Sequence, residues 1–441
     1  MSPDDAPAPE RLARRLAWGI VVGGGLAFVL AAWWWVPWGW VPGVRVEAVD
    51  AGVLFTPEQV ARAEEYAGVR RVLGWVATVL SLLVAGWLAF ARSGQRVWRW
   101  VPGPWPVRVV LATAVVLAVG RVAVLPVSVF VRRRNLDYGL TTQSWSDWGI
   151  DVVRGYGVDL LATGLALLAL VGLARAFRRL WPVLVALGAA VLVLGGSFLY
   201  PVLVEPVFND FTTMPDGPLR SSILELADRE GVGVDEVLVA DASRRTTTLN
   251  AYVSGFGDTR RVVVYDTLLD GLTAEQAEVV IAHELAHALH DDVLLGTTLG
   301  ALGALAASGL LGAVLLSPRV RRRARLTGPG DPAVVALVLF AVALGTLLAS
   351  PVENGISRAI EARADVTSLE VTGATDAFVA MQHQLATRSL ADPEPPAWSR
   401  WAFASHPTAL QRIGLLEALG LAWDFDPATD GSEASAGSRE E

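Results

Sequence analysis

Seven stretches of this chain are long and apolar enough to cross a lipid bilayer, and that leaves few folds open to it. They run over about 16–41, 72–91, 105–130, 157–176, 180–204, 293–316 and 332–350. In hydrocarbon every backbone N–H and C=O must be satisfied within the protein, so each stretch of about 20 residues is expected to be a helix. A hydrophobic content of 53% and a mean hydropathy of +0.44 fit a multi-span membrane protein of mainly α class. The first stretch is too long for the core of a cleaved signal peptide. Trp33, Trp34, Trp35, Trp38 and Trp40 near its end resemble an interfacial belt.

The spans divide the chain. Residues 1–204 hold five of them, 205–292 read as soluble, 293–350 hold the last two, and 351–425 return as soluble helices before an acidic tail, 426–441, expected to be disordered. A short amphipathic helix is expected to open at Thr56-Pro57-Glu58. Within 205–292 a helix over Pro218–Glu230 leads to a strand at 236–241. Two β-rich runs in NAYVSGFGDTRRVVVYDTLL, joined at Gly257-Asp258-Thr259, then predict a small hairpin. The chain has no cysteine, which excludes disulfides, thiolate metal sites and a cysteine nucleophile. The net charge is −8, and nothing in its distribution points to nucleic acid.

The chemistry concentrates in IAHELAHALHDD, residues 281–292. Thr273 and Gln276 form a T-x-x-Q capping box, and the sixteen residues behind them contain no glycine or proline, so a helix is expected. His283 and His287, four apart, then lie one above the other on one face and can grip one Zn²⁺. Glu284 can act as general base on a water activated there. A hydrolytic zinc site needs a third protein ligand. His290 shares the face but lies about 10 Å along the axis from His283. The H-E-x-x-H-x-x-G-x-x-H pattern fails, since position 290 is not glycine and 293 is valine. A downstream acid remains. Helical NGISRAIEARAD, 354–365, puts Glu361 and Asp365 four apart on one face, Glu361 to ligate and Asp365 to hold a histidine N–H. His290 is read as a supporting residue and His383 as a packing or surface residue.

These motifs resemble those of the type I CAAX prenyl protease (Ste24-like) family of integral-membrane zinc proteases, related to the HtpX membrane proteases. The similarity runs over about 138–415. It is carried by YGLTTQSWSDW, LYPVLVEPVFNDFTTMPDGPLRSSI, NAYVSGFGDTRRVVVYDTLL, HELAHALH, NGISRAIEARAD and SHPTALQRI. The resemblance implies seven helices enclosing a chamber, with a gluzincin-type protease domain. It implies one zinc on His283, His287 and Glu361, with Glu284 as base. Asn250 and Ala251, with Tyr252 beside them, match a substrate-pairing strand; an edge strand is expected over Asn250–Gly255. His406 and Arg412 match a pair near the bound peptide, His406 as oxyanion donor and Arg412 as a substrate-carbonyl clamp, and Ser405 would cap the helix after Pro407. Substrates would be peptides or membrane proteins, including prenylated CAAX-type ones.

Other readings stay open at this point: an HtpX-type quality-control protease, an intramembrane-cleaving protease, or a non-catalytic protein with structural zinc. Polar residues around the motif and an intact Glu284 argue against the last two. Sidedness divides the signals. The resemblance implies a cytoplasmic protease domain, whereas fourteen arginines in the loops at 11–15, 92–99, 175–179 and 319–325, against eight on the zinc side, argue the reverse.

Overall fold

The computed structural model describes residues 8–39, 46–255 and 260–427. Among these, seven helices are long and apolar enough to span a membrane. Five open the chain: α1 (Ala8–Trp35), α2 (Pro57–Phe90), α3 (Trp105–Asp137), α4 (Trp145–Ala176) and α5 (Trp181–Leu203). Two shorter helices, α6 (Pro218–Glu230) and α7 (Ala274–Leu289), precede the remaining spans, α8 (Asp292–Leu315) and α9 (Val334–Thr372). Helices α10 (Thr375–Ser389) and α11 (Ala409–Ala418) follow. The expected turn at 257–259, Trp40 and nearly all of the acidic tail lie outside the described residues.

Two elements differ from the sequence reading. The amphipathic helix expected before the second span is no separate element. The Thr56–Gln59 capping box starts a single helix that runs on to Phe90. Nothing between interrupts it, since Gly68 and Gly74 only weaken a helix locally. Likewise α9 passes through Pro351 without ending. A membrane-embedded helix tolerates proline because neighbours resatisfy the freed carbonyl. One rod therefore carries both the seventh span and the Glu361–Asp365 face.

The spans pack through small residues. Helix α1 lies against α8 so closely that a Cβ at Gly309 would stand 2.8 Å from the Ala17 carbonyl oxygen. In hydrocarbon such close backbone approach substitutes for a hydrophobic driving force. On the zinc-motif side sits a four-stranded sheet of β1 (Phe211–Thr213), β2 (Glu236–Ala240), β3 (Ala251–Ser254) and β4 (Arg261–Tyr265), in the order β1-β2-β4-β3. Strand β4 pairs parallel with β2 and antiparallel with β3. One apolar core joins this sheet to the helices: Ile223 and Leu226 of α6, Val237, Val262 and Val264, Ile281 and Leu285 of α7, Phe378 of α10 and Ile413 of α11.

Two straps tie membrane and protease parts together. Residues 46–50 cross α11, with Val49 N donating to Leu410 O at 3.2 Å. Gly414 is obligatory there, since its Cβ would fall 1.8 Å from Glu47 O. The loop after α3 docks on 243–247 through hydroxyls: Thr141 and Thr142 donate to the Arg245 and Ser243 carbonyls, and Thr247 to Gly139. His383 is buried against the Phe55 and Phe425 rings beside Gln59, so of the two roles expected it takes packing and not the surface.

Candidate active site

Helix α7 begins at the predicted box. Thr273 Oγ1 accepts from Gln276 N, and Gln276 Oε1 from Thr273 N. Its buried face, including Val279, Ala282 and Ala286, sets the roll of the helix and turns His283 and His287 toward α9. The two rings stand nearly perpendicular, at 88°, with Nε2 atoms 3.2 Å apart. Glu361 meets them from α9: His283 Nε2 is 3.3 Å from its Oε2 and His287 Nε2 is 3.6 Å from its Oε1. Ligand atoms of the three residues all lie within 4.8 Å of one another.

A metal ion fits this group. Glu361 Oε2 is buried and accepts no hydrogen bond, although burial of an unpaired carboxylate oxygen is costly. Two imidazole nitrogens facing one another and a carboxylate make a donor set suited to a divalent ion of the zinc type. The Nδ1 atoms are occupied elsewhere: His283 by Asp365 Oδ1 at 3.0 Å and His287 by Asp292 Oδ2 at 2.9 Å. Burial opposes a charge on His283, but the neighbouring Asp365 and Glu361 carboxylates outweigh it and lift its pKa to about 9. The surroundings favour a cation. Burial also pushes the Glu284 carboxyl above its ordinary value, with His283 and His287 pulling it back.

Glu284 lines a cavity of about 230 Å³ with His287, Ala288, Val253, Gly255 and Arg260, between α7 and β3. Among the described residues β3 is an edge strand, paired only with β4. Asn250 O accepts from Tyr265 N, so by the alternation of antiparallel ladders Tyr252 also faces β4. The N–H and C=O groups of Ala251 and Val253 therefore point to the open edge. The Tyr252 hydroxyl donates to Glu205 Oε2 at 3.2 Å.

His406 reaches the site, its Nε2 3.3 Å from Glu361 Oε1. Ser405 does not cap the following helix as expected. Its hydroxyl lies 2.8 Å from His406 Nδ1, and Thr408 forms the cap with Gln411, because a hydroxyl three residues before Gln411 completes a capping box. Arg412 is half-buried, its Nε donating to Asp365 Oδ2 at 2.7 Å and its Nη2 lying 3.3 Å from His283 Nδ1. His290 meets Thr367 Oγ1 at 3.1 Å, away from the three ligand atoms. Sequence reasoning missed Asp292 and Arg363. The only signal was Asp292 in HALHDD, and five residues of spacing hid it.

Residues 214–419 match the profile of peptidase family M48, and residues 50–210 that of the CAAX prenyl protease N-terminal region, described as five membrane helices. The protease part of the chain, residues 214–419, belongs to peptidase family M48. It is a multi-span membrane metalloprotease, similar in type to CAAX prenyl protease 1. A Bacillus subtilis relative, the uncharacterised metalloprotease YhfN, is 27% identical over 84% of this chain and 88% of its own. The Arabidopsis thaliana CAAX prenyl protease 1 homolog is 32% identical over 50% of this chain, and the match spans 52% of that protein. The crystal structure of S. mikatae Ste24p superposes with a TM-score of 0.73 over 91% of this chain and 98% of that one, at 19% identity. That likeness fixes the fold, a helical membrane bundle with a small sheet. Membership of a metalloprotease family sets aside the non-catalytic reading.

Proposed function

We propose that this M48 protease holds one zinc ion on His283, His287 and Glu361 and hydrolyses peptide bonds of membrane or membrane-associated substrates, prenylated CAAX-type chains among them. The convergence of those three ligands beside an open strand edge carries the reading. Bound there, zinc would supply Lewis acidity to a water and to the scissile carbonyl. Glu284, on the cavity wall, takes the proton of the attacking water and returns it to the leaving amine. The peptide lies extended along β3, paired with the outward groups of Ala251 and Val253. His406, exposed at the rim, donates to the developing oxyanion. Asp365 holds His283 Nδ1, and Arg412 braces Asp365 while facing the same site. The protease face is assigned to the cytoplasmic side, as the family resemblance implies.

E284Q and E361A test this reading. E284Q should keep its zinc and lose activity by about 1000-fold or more, whereas E361A should lose both. Full zinc occupancy with normal cleavage in E361A would sink the ligand assignment.

A further inference from the structure

His287 has a partner that the mechanism above does not use. Its Nδ1 lies 2.9 Å from Asp292 Oδ2, while Asp292 Oδ1 accepts from Arg363 Nη2. Asp292 is only 7% exposed. The same arrangement stands behind the other histidine, where Asp365 meets His283 Nδ1 at 3.0 Å and accepts from Arg412. Each histidine thus has a carboxylate behind it, and each carboxylate has an arginine.

A straight helix could not aim Asp292 this way. Residues five apart on an α-helix lie about 140° round the axis, so Asp292 would point away from His287. The chain breaks instead. Helix α7 closes at His290, Asp291 takes a left-handed φ of 51°, and α8 starts at Asp292 turned back toward the site. That conformation is unfavourable for a residue with a Cβ, and it is held in place. Arg260 Nη2 donates to Ala288 O at 3.1 Å and to Asp291 Oδ1 at 2.9 Å, one contact just before the break and one at it. Since Asp292 opens one span and Arg363 sits on another, the pair fixes His287 against both α8 and α9.

We propose that Asp292, held by Arg363, is a positioning residue for His287, resting on the metal reading above. The carboxylate keeps the proton on Nδ1 and sets the ring angle, which leaves the Nε2 lone pair facing Glu361 and His283. Asparagine would not replace it. His287 and Arg363 meet different oxygens of Asp292, and in asparagine one of those positions becomes an NH₂ group, a donor facing a donor.

The test uses the full-length protein in detergent or nanodiscs, with zinc affinity read by competition against a chromophoric chelator and geometry by the absorption of the Co²⁺-loaded form. D292A should lower zinc affinity ten- to a hundredfold and shift the Co²⁺ bands, a loss larger than the destabilisation of the metal-free protein that follows from breaking the Arg363 pair. R363M, which keeps the carboxylate, should lower affinity severalfold, and it decides the matter if D292A does not fold. Wild-type affinity and an unchanged Co²⁺ spectrum in the variants overturn the proposal, as does a loss matched by an equal destabilisation of the metal-free protein. Zinc uptake by the wild type and not by H287A keeps the two readings apart. Its absence overturns the metal assignment, whereas uptake with an indifferent D292A overturns this inference alone.

Discussion

At the scale of single residues, burial decides which charges matter. Glu230 closes α6 at 7% exposure, and neither carboxylate oxygen has a hydrogen-bond partner. Burial pushes its pKa up to about 7, with Arg229 pulling the other way. Between an unfolded pKa near 4.5 and about 7, the folded protein keeps a proton that the unfolded chain has lost. Stability should therefore fall as pH rises through that window, by at most about 3 kcal/mol. E230Q should flatten the dependence, gaining stability at pH 8 and little at pH 4. Thermal unfolding across pH 4–8 measures this, and parallel curves for the two proteins would refute it. The histidines and Glu284 of the zinc motif were legible because helical spacing alone puts the two imidazoles together. Asp292 was not, because its aim depends on the φ of Asp291.

At the scale of elements, the edge strand is the feature with kinetic consequences. The β3–β4 register leaves the Val253 N–H outside the ladder, so a proline there removes an outward donor without breaking the sheet. V253P should keep zinc and thermal stability, yet raise KM for an extended peptide by about five- to tenfold, the worth of one hydrogen bond. Unchanged KM would show that substrate pairs elsewhere. The strand was readable from its β-rich run. Its place at the sheet edge follows from β2 taking the far side of β4, a pairing between residues 25 apart in the chain. The unbroken lengths of α2 and α9 were hidden for another reason. Hydropathy reports where a helix meets lipid and not where its hydrogen bonding stops.

At the scale of the whole molecule, the arginine-rich end knits the spans together. Arg321 pairs with Glu10 at 2.8 Å, Arg325 Nη1 donates to Gln95 at 2.7 Å, and Arg175 Nη1 to Gly330 O at 3.1 Å. Some of the charges that argue for an inverted orientation are thus structural. The absence of cysteine makes the question testable in the natural background. With the protease face cytoplasmic, an impermeant maleimide added to intact cells should label R178C and spare S221C, and permeabilised cells should show both labelled. The reverse pattern would invert the orientation.

By itself the sequence determined the membrane spans, the zinc-motif helix and the acid pair at Glu361 and Asp365. Each depends on hydrophobicity or a period of 3.6 residues, properties that a chain carries locally. Tertiary structure alone decided that Glu361, some 74 residues beyond His287, closes on both histidines and that Arg412 braces Asp365. It also decided that Asp292 turns back onto His287. Those contacts depend on how α7, α9 and α11 pack around one core, and packing at such separations leaves no periodic trace in the chain.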